Sequence, residues 1–144
     1  MTFSENLTDQ DLRAALPDVT SDFIVEGLRS SVILRRDAYG IPHVSANNSS
    51  DAFFGQGFAS AQDRLWHMEY DRMRSYGRWS EFAGPNGLAN DLLMRRMQIH
   101  SSVVRDYHQL DEPAQEMLNS YSAGVNAFIQ STSNLPIDYK LVEA

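Results

Sequence analysis

Hydrophobic and polar positions change regime along the chain. Residues 1–30 are polar with scattered apolar positions, and the stretch "TDQDLRAAL" within them reads as a short helix capped by Thr8 or Asp9. This region is expected to be a loosely attached polar arm. From Val32 to Val44 the pattern shortens. Val32, Ile33 and Leu34 form a β-branched run, Asp37-Ala38-Tyr39-Gly40 has turn chemistry, and Ile41-Pro42-His43-Val44 resumes extended. A β-hairpin is predicted over about 31–46. Pro42 has no N–H to give to a ladder, so it belongs at a strand start or facing away from the partner strand.

The period then becomes helical. Phe54, Phe58, Ala61, Leu65, Met68, Arg72 and Tyr76 recur at steps of three and four, with Trp66, Tyr70 and Met73 widening the stripe. This predicts a helix over about 49–77, capped by Ser49 or Ser50, with Asp51 in its first turn and Gly77 as its stop. Gly55 and Gly57 each cost about 1 kcal/mol of helix propensity against alanine, which is tolerated best where another backbone comes close. A single turn is expected around Trp79–Gly84. A second helix over about 87–110 would put Leu88, Leu92, Ile99, Val103, Tyr107 and Leu110 on one side. A third, over about 112–130, starts with Asp111 as cap and Pro113 in the first turn, and carries Ala114, Met117, Leu118, Tyr121, Val125, Phe128 and Ile129 as its stripe. The segment from Leu135 to Val142 is apolar and reads as extended. The fold class is α+β: one arm, then one segment over 31–144 in which a hairpin precedes three main helices.

Composition narrows the function. A chain that is 42% apolar and 22% charged can bury a core. Its formal net charge of −7, with basic residues placed singly or in pairs such as Arg35-Arg36 and Arg95-Arg96, argues against nucleic acid. The absence of cysteine removes disulfides, thiolate metal sites and thiol nucleophiles. No segment approaches the roughly 20 apolar residues of a membrane span, and the start lacks the pattern of a leader peptide, so as written the chain reads as a cytoplasmic one without membrane contact.

The densest chemistry lies in "GQGFASAQDRLWHMEYDRMRSYGRWSEFAG", residues 55–84. Ser60, Asp63 and His67 suggest a hydrolase triad, but on one helix Ser60 and His67 are separated by roughly 10 Å of rise, where a nucleophile and its base need about 3 Å. Asp63 and His67 are instead expected to pair four residues apart. No His-Glu-x-x-His pattern supports a metal. Glu69 with Arg72 and Asp71 with Arg74 are spaced for ion pairs. Arg78, just past a helix end, is placed to bond last-turn carbonyls or Glu81. Asp37, Asp63, Arg64, His67, Glu69, Arg78 and Glu81 are therefore expected to form a bracing network, with no catalytic, cofactor or metal residue in this chain.

Several blocks resemble the penicillin acylase family. Arg36-Asp37-Ala38-Tyr39-Gly40-Ile41-Pro42-His43-Val44 is similar to the hairpin that opens that family. Asp51–Phe58 and Ala61–Glu69 are similar to its following helix, and Gly77-Arg78-Trp79-Ser80-Glu81 to its next block. Tyr121-Ser122-Ala123-Gly124-Val125-Asn126-Ala127-Phe128-Ile129 and Leu135-Pro136-Ile137-Asp138-Tyr139 follow in the same order. The resemblance implies an N-terminal-nucleophile hydrolase with a four-layer αββα fold, of which this chain is the N-terminal part of the α chain. It implies a precursor cut into α and β chains and a nucleophilic serine at the start of β. The implied substrates are small-molecule amides: β-lactams, acyl-homoserine lactones or acylated peptides. Calcium and the α-chain wall of the acyl pocket would belong to the complete αβ enzyme beyond residue 144, and export to the periplasm is usual for relatives. The residues alone leave open a stand-alone helical interaction module without activity.

Two strands and three helices do not easily enclose themselves. The lone chain is therefore expected to bind an apolar dye or aggregate. A monodisperse monomer that melts cooperatively and binds no dye would contradict dependence on a partner.

Overall fold

The computed structural model describes residues 7–142. The first six residues of the predicted arm and the last two of the chain lie outside it. The elements run α1 (Asp9–Ala14), β1 (Ile33–Arg36), β2 (Pro42–Ser45), α2 (Ser49–Ser75), α3 (Ser80–Ala83), a 3-10 turn (Gly84–Gly87), α4 (Leu88–Met97), α5 (Ile99–Tyr107), α6 (Glu112–Ser131) and α7 (Ile137–Leu141). A hairpin followed by helices is the α+β class that the periodicity predicts. No helix among the described residues is long and apolar enough to cross a membrane.

The chain divides into two compact units. One comprises Pro17–Arg64 and Asp111–Ser133; the other comprises the described parts of Met1–Leu16, Leu65–Leu110 and Asn134–Ala144. The division falls inside α2. Its backbone is interrupted at Arg64, whose φ of −142° and ψ of 24° are not helical. The single straight helix expected over 49–77 is thus two helical runs. A one-residue departure rotates the stripe that follows, so that Met73 is buried while Arg72 and Tyr76 face outward.

In the first unit the hairpin pairs antiparallel, Ile33 opposite Ser45 and Arg36 opposite Pro42. Pro42 opens its strand, where its missing N–H breaks no ladder. Leu34 and Val44 turn toward the protein, and Ile33 and His43 turn away. The core is built from Phe54, Ala59, Ala61, Ala127 and Phe128, with Phe58 edge-on to both Phe23 and Phe128 at centroid distances of 5.2 and 5.5 Å. Helices α2 and α6 meet at two glycines. A Cβ on Gly57 would lie 2.0 Å from the Tyr121 carbonyl oxygen, and one on Gly124 would lie 1.9 Å from that of Phe54. Backbones this close exclude any side chain.

The 17–30 stretch is not a loose arm. Phe23 packs on Phe58, the Gln62 side chain donates to the Asp18 carbonyl at 2.5 Å, and the Arg29 and Ser30 N–H groups are bonded to Asp51. An irregular segment hides its polar backbone only by finding such partners.

In the second unit, α1 starts with a capping box: Thr8 Oγ1 accepts the Asp11 N–H and Asp11 Oδ2 accepts the Thr8 N–H. The C-terminus of α2 ends at Gly77, φ +64°, with Arg78 N–H donating to the Met73 carbonyl and Gly77 N–H to that of Arg74. The helix expected over 87–110 is two helices, α4 and α5, because Gln98 takes a left-handed conformation (φ 53°) between them. The predicted stripe is not buried either: Leu88, Leu92 and Val103 are exposed, and the buried member of α4 is Asp91. The Ile137–Leu141 segment, expected extended, is a short helix beginning after Pro136. Proline fixes the entry to a helix and blocks nothing at its start. Trp66 packs edge-on to Tyr139 and Phe82, and Tyr70 to Trp79.

The α2–α6 contact yields a test. Gly57→Ala and Gly124→Ala should each destabilise the chain toward the top of the range of about 1–3 kcal/mol typical of overpacking. Ser122→Ala, on the exposed side of α6, should change stability by less than about 0.5 kcal/mol. Thermal melts of the three variants check this, and equal midpoints would contradict the close crossing.

Candidate functional site

The charged residues of the motif blocks are bonded to one another and to backbone. In the first unit, Arg36 on β1 points its guanidinium at α2. It donates to Asp63 at 2.7 and 3.0 Å, a two-pronged pair, to the Gln62 side-chain oxygen at 2.7 Å and to the Gly40 carbonyl at 2.9 Å. One side chain thereby ties the hairpin turn to the helix, a task that suits the planar fork of arginine. Asp37 closes the turn. Its Oδ1 accepts the N–H groups of Tyr39 (2.9 Å) and Ile41 (3.0 Å), and its Oδ2 lies 3.2 Å from His43 Nε2. The His43 side chain and then the Ile41 N–H hold the Asp37 carboxyl below the usual carboxylate range.

Asp51 is the other anchor of this unit, 1% exposed. Its oxygens accept the Arg29 N–H (2.9 Å), the Ser30 N–H (3.0 Å), the Ser30 hydroxyl (2.9 Å) and the Asn48 amide (2.6 Å). Its own N–H goes to Asn48 Oδ1 at 2.9 Å, so Asn48 and not Ser49 or Ser50 caps α2. The Arg29 N–H leads the interactions that hold this carboxyl below its ordinary value despite burial. Nearby, Glu116 Oε1 accepts hydrogen bonds from the Ser50 hydroxyl and the Arg29 guanidinium, each at 2.6 Å, inside an open cleft of about 640 Å³.

In the second unit, Asp91 plays the equivalent part, 2% exposed. It accepts the Trp79 N–H (2.8 Å) and the Ser80 N–H (2.7 Å). Burial pushes this carboxyl up, and the Ser80 side chain with the two N–H donors outweighs it and brings it below its ordinary value. Arg95 donates to the Gly77 carbonyl at 2.8 Å, so the cap of that helix end comes from α4 and not from Arg78. Arg78 instead forms a two-pronged pair with Glu81 at 2.6 and 2.8 Å, which holds the Glu81 carboxyl down. Glu69 binds Arg72 through two bonds of 2.7 Å. Burial raises the Tyr139 phenol to about 12.

Some expected pairs are replaced. Asp63 binds Arg36, and His67 lies 3.5 Å from Asp71, so the Asp63–His67 pair does not form. The break at Arg64 lies between them and removes the four-residue spacing of a regular helix. Asp71 is therefore with His67, and Arg74 turns to the Tyr70 hydroxyl at 3.0 Å and its ring face at 5.0 Å. Arg64 itself is exposed, with no ion pair among the described residues. Sequence reasoning missed Arg36, Gln62 and Asp91 as partners and read Asp51 only as a first-turn acid. The Asn48-x-x-Asp51 spacing was the available signal for the cap.

This arrangement ties backbone to side chains within each unit. Ser60 and Asp63 have no histidine set against them, and no group of three or more histidine, aspartate or glutamate side chains among the described residues is placed to hold a metal ion.

With that geometry in hand, similarity to known proteins is informative. A family model described as penicillin amidase matches residues 31–144. The whole chain is 40% identical over 144 residues to the penicillin acylase 2 proenzyme of Pseudomonas sp. (strain SE83), of which it covers 19%. It is 31% identical over 125 residues, 86% of this chain, to the acyl-homoserine lactone acylase QuiP of Pseudomonas aeruginosa, of which it covers 15%. Among solved structures, the thermostable penicillin G acylase from Alcaligenes faecalis aligns with a TM-score of 0.71 at 29% identity, over 79% of this chain and 63% of that one. The chain thus spans less than a fifth of the length of these two curated relatives.

The buried carboxylates set a pH dependence. A carboxyl held below its ordinary value of 3.8 in the folded chain stabilises the fold at neutral pH. That contribution shrinks as pH falls below about 4, where the unfolded chain takes up the proton, and is gone once the folded carboxyl is protonated. Asp51→Asn should therefore be less stable at pH 7 and lose less stability between pH 5 and pH 3 than the parent chain. Denaturant titrations at these pH values check it, and parallel losses in both chains would contradict the role of Asp51.

Proposed function

Since the chain belongs to the penicillin amidase family, we propose that it is the N-terminal part of the α chain of an acylase that hydrolyses the amide bond of small acylated substrates. The substrate class is an acyl group joined to a β-lactam nucleus, a homoserine lactone or a peptide. The nucleophile is a serine at the N-terminus of a separate β chain, whose own amino group takes the proton from the hydroxyl as it attacks the carbonyl. Residues 1–144 supply the scaffold on which that chain is held.

The observation that carries this reading is a difference in coverage. The segment matches 63% of the chain solved for the Alcaligenes relative but 19% of the Pseudomonas proenzyme. A precursor divided into a short and a long chain accounts for both figures. The geometry supports the same division of labour, because Arg36, Asp37, Asp51, Asp63, Arg78 and Asp91 are all occupied in holding backbone or each other. Calcium in the complete enzyme belongs to the same reading and would be held outside the described residues.

The test is an amide hydrolysis assay on the full-length precursor product and on residues 1–144 alone. Turnover is expected from the first and none from the second. Replacing the serine at the new N-terminus by alanine should abolish turnover. Hydrolysis by residues 1–144 alone, or full activity without that serine, would overturn the assignment of roles.

A further inference from the structure

Asn86 is the one asparagine of this chain that a glycine follows. Asparagine is among the thermolabile residues, and its side-chain amide is lost when the next backbone nitrogen reaches it. A side chain on that next residue crowds the approach, and glycine has none. The pair sits in the second unit, in the 3-10 turn Gly84–Gly87 that leads into α4. Asn86 is exposed and Gly87 is buried.

Packing makes that glycine obligatory. A Cβ on Gly87 would lie 2.8 Å from the Ser80 nitrogen and 2.9 Å from the Ser80 Cα, and backbone atoms do not swing aside as the end of a side chain does. The fold therefore gives Asn86 the least hindered neighbour there is. The turn itself is weakly held. Short 3-10 runs have poor hydrogen-bond geometry, and Pro85 brings no N–H to this one. Gly84 opens it at φ +61°, with nothing within 4 Å of where its Cβ would be. Local opening of such a turn costs little and lets the Asn86 side chain reach the Gly87 nitrogen.

We propose that Asn86 is a site of spontaneous deamidation and that its isoaspartyl product releases the Asp91 anchor. The Gly87 nitrogen gives its proton to a solvent base and attacks Asn86 Cγ. The N–Cγ bond forms, the Cγ–Nδ2 bond breaks, and ammonia leaves with a proton from water. Water then opens the five-membered imide at one of its two carbonyls, and nothing is oxidised or reduced. Opening at one carbonyl gives aspartate in an ordinary backbone. Opening at the other gives isoaspartate, with the Cβ methylene now in the main chain, which lengthens by one C–C bond of about 1.5 Å. Gly87 has no room against the Ser80 backbone for that shift. Four residues on, Asp91 accepts the Trp79 and Ser80 N–H groups at 2.8 and 2.7 Å. A longer chain at position 86 moves the start of α4 against residues 79 and 80 and breaks those two bonds. The aspartyl product instead sets a negative charge just before α4, where a helix N-terminus favours it, and leaves the anchor in place.

The experiment holds the full-length protein in warm, mildly alkaline buffer and follows every asparagine by peptide mapping over time. The peptide containing Asn86 should convert to aspartyl and isoaspartyl forms roughly tenfold or more faster than any other asparagine peptide, a barrier difference of about 1.4 kcal/mol. Amide hydrogen exchange on the isoaspartyl fraction should show Trp79 and Ser80 deprotected and Arg29 and Ser30 unchanged. Asn86→Gln, whose longer side chain closes its ring far more slowly, should abolish both changes. Asn86→Asp should keep Trp79 and Ser80 protected. An Asn86 that converts no faster than the other asparagines overturns the site. An isoaspartyl fraction in which Trp79 and Ser80 stay protected overturns the link to Asp91.

Discussion

A carboxylate without water must be surrounded by donors, and this requirement organises each unit of the chain. Asp51 and Asp91 are the two buried acids. Each collects backbone N–H groups from a stretch that has no ladder or helix to receive them: residues 29 and 30 for Asp51, residues 79 and 80 for Asp91. An isolated buried charge is costly, and so are orphaned N–H groups, but placed together each removes the other's penalty. The consequence is specific. The segment before the hairpin can sit against the start of α2 only where Asp51 waits for it, and the block around Trp79 can turn only where α4 brings Asp91.

The remaining motif residues extend the same logic. Arg36 links the hairpin turn to α2 through Gln62 and Asp63, and Asp37 supplies the turn with the acceptors its N–H groups lack. Gly57 and Gly124 let α2 and α6 touch backbone to backbone. Gly77 gives α2 its left-handed end. Residues that look chemically reactive in the sequence are in this way the parts that fix backbone geometry.

Much of this was legible in the sequence. Local features came through: the hairpin with Pro42 at a strand start, the Thr8 and Asp111 caps, the Gly77 stop and the Arg78–Glu81 and Glu69–Arg72 spacings all depend on residues close in the chain. Expectations failed where long-range partners decide. Asp63 leaves His67 for Arg36, 27 residues earlier. Asp91 goes inward and Leu92 outward, and Leu88 and Val103 of the predicted stripe are also exposed. The breaks at Arg64 and Gln98 have no proline or glycine to announce them. The arm from 17 to 30 read as loose because it is held largely through its own backbone N–H and carbonyl groups, which a sequence does not display.

Amide hydrogen exchange, resolved by residue, tests the dependence on buried carboxylates most directly. The N–H groups of Arg29, Ser30, Trp79 and Ser80 lie outside strands or at the very start of a helix, where exchange is ordinarily fast. Bonded to Asp51 and Asp91, they should be protected as strongly as the central turns of α2 and α6, and Asp51→Asn should release Arg29 and Ser30 while leaving Trp79 and Ser80 unchanged. Exchange of all four at the rate of exposed coil in the parent chain would contradict the whole arrangement.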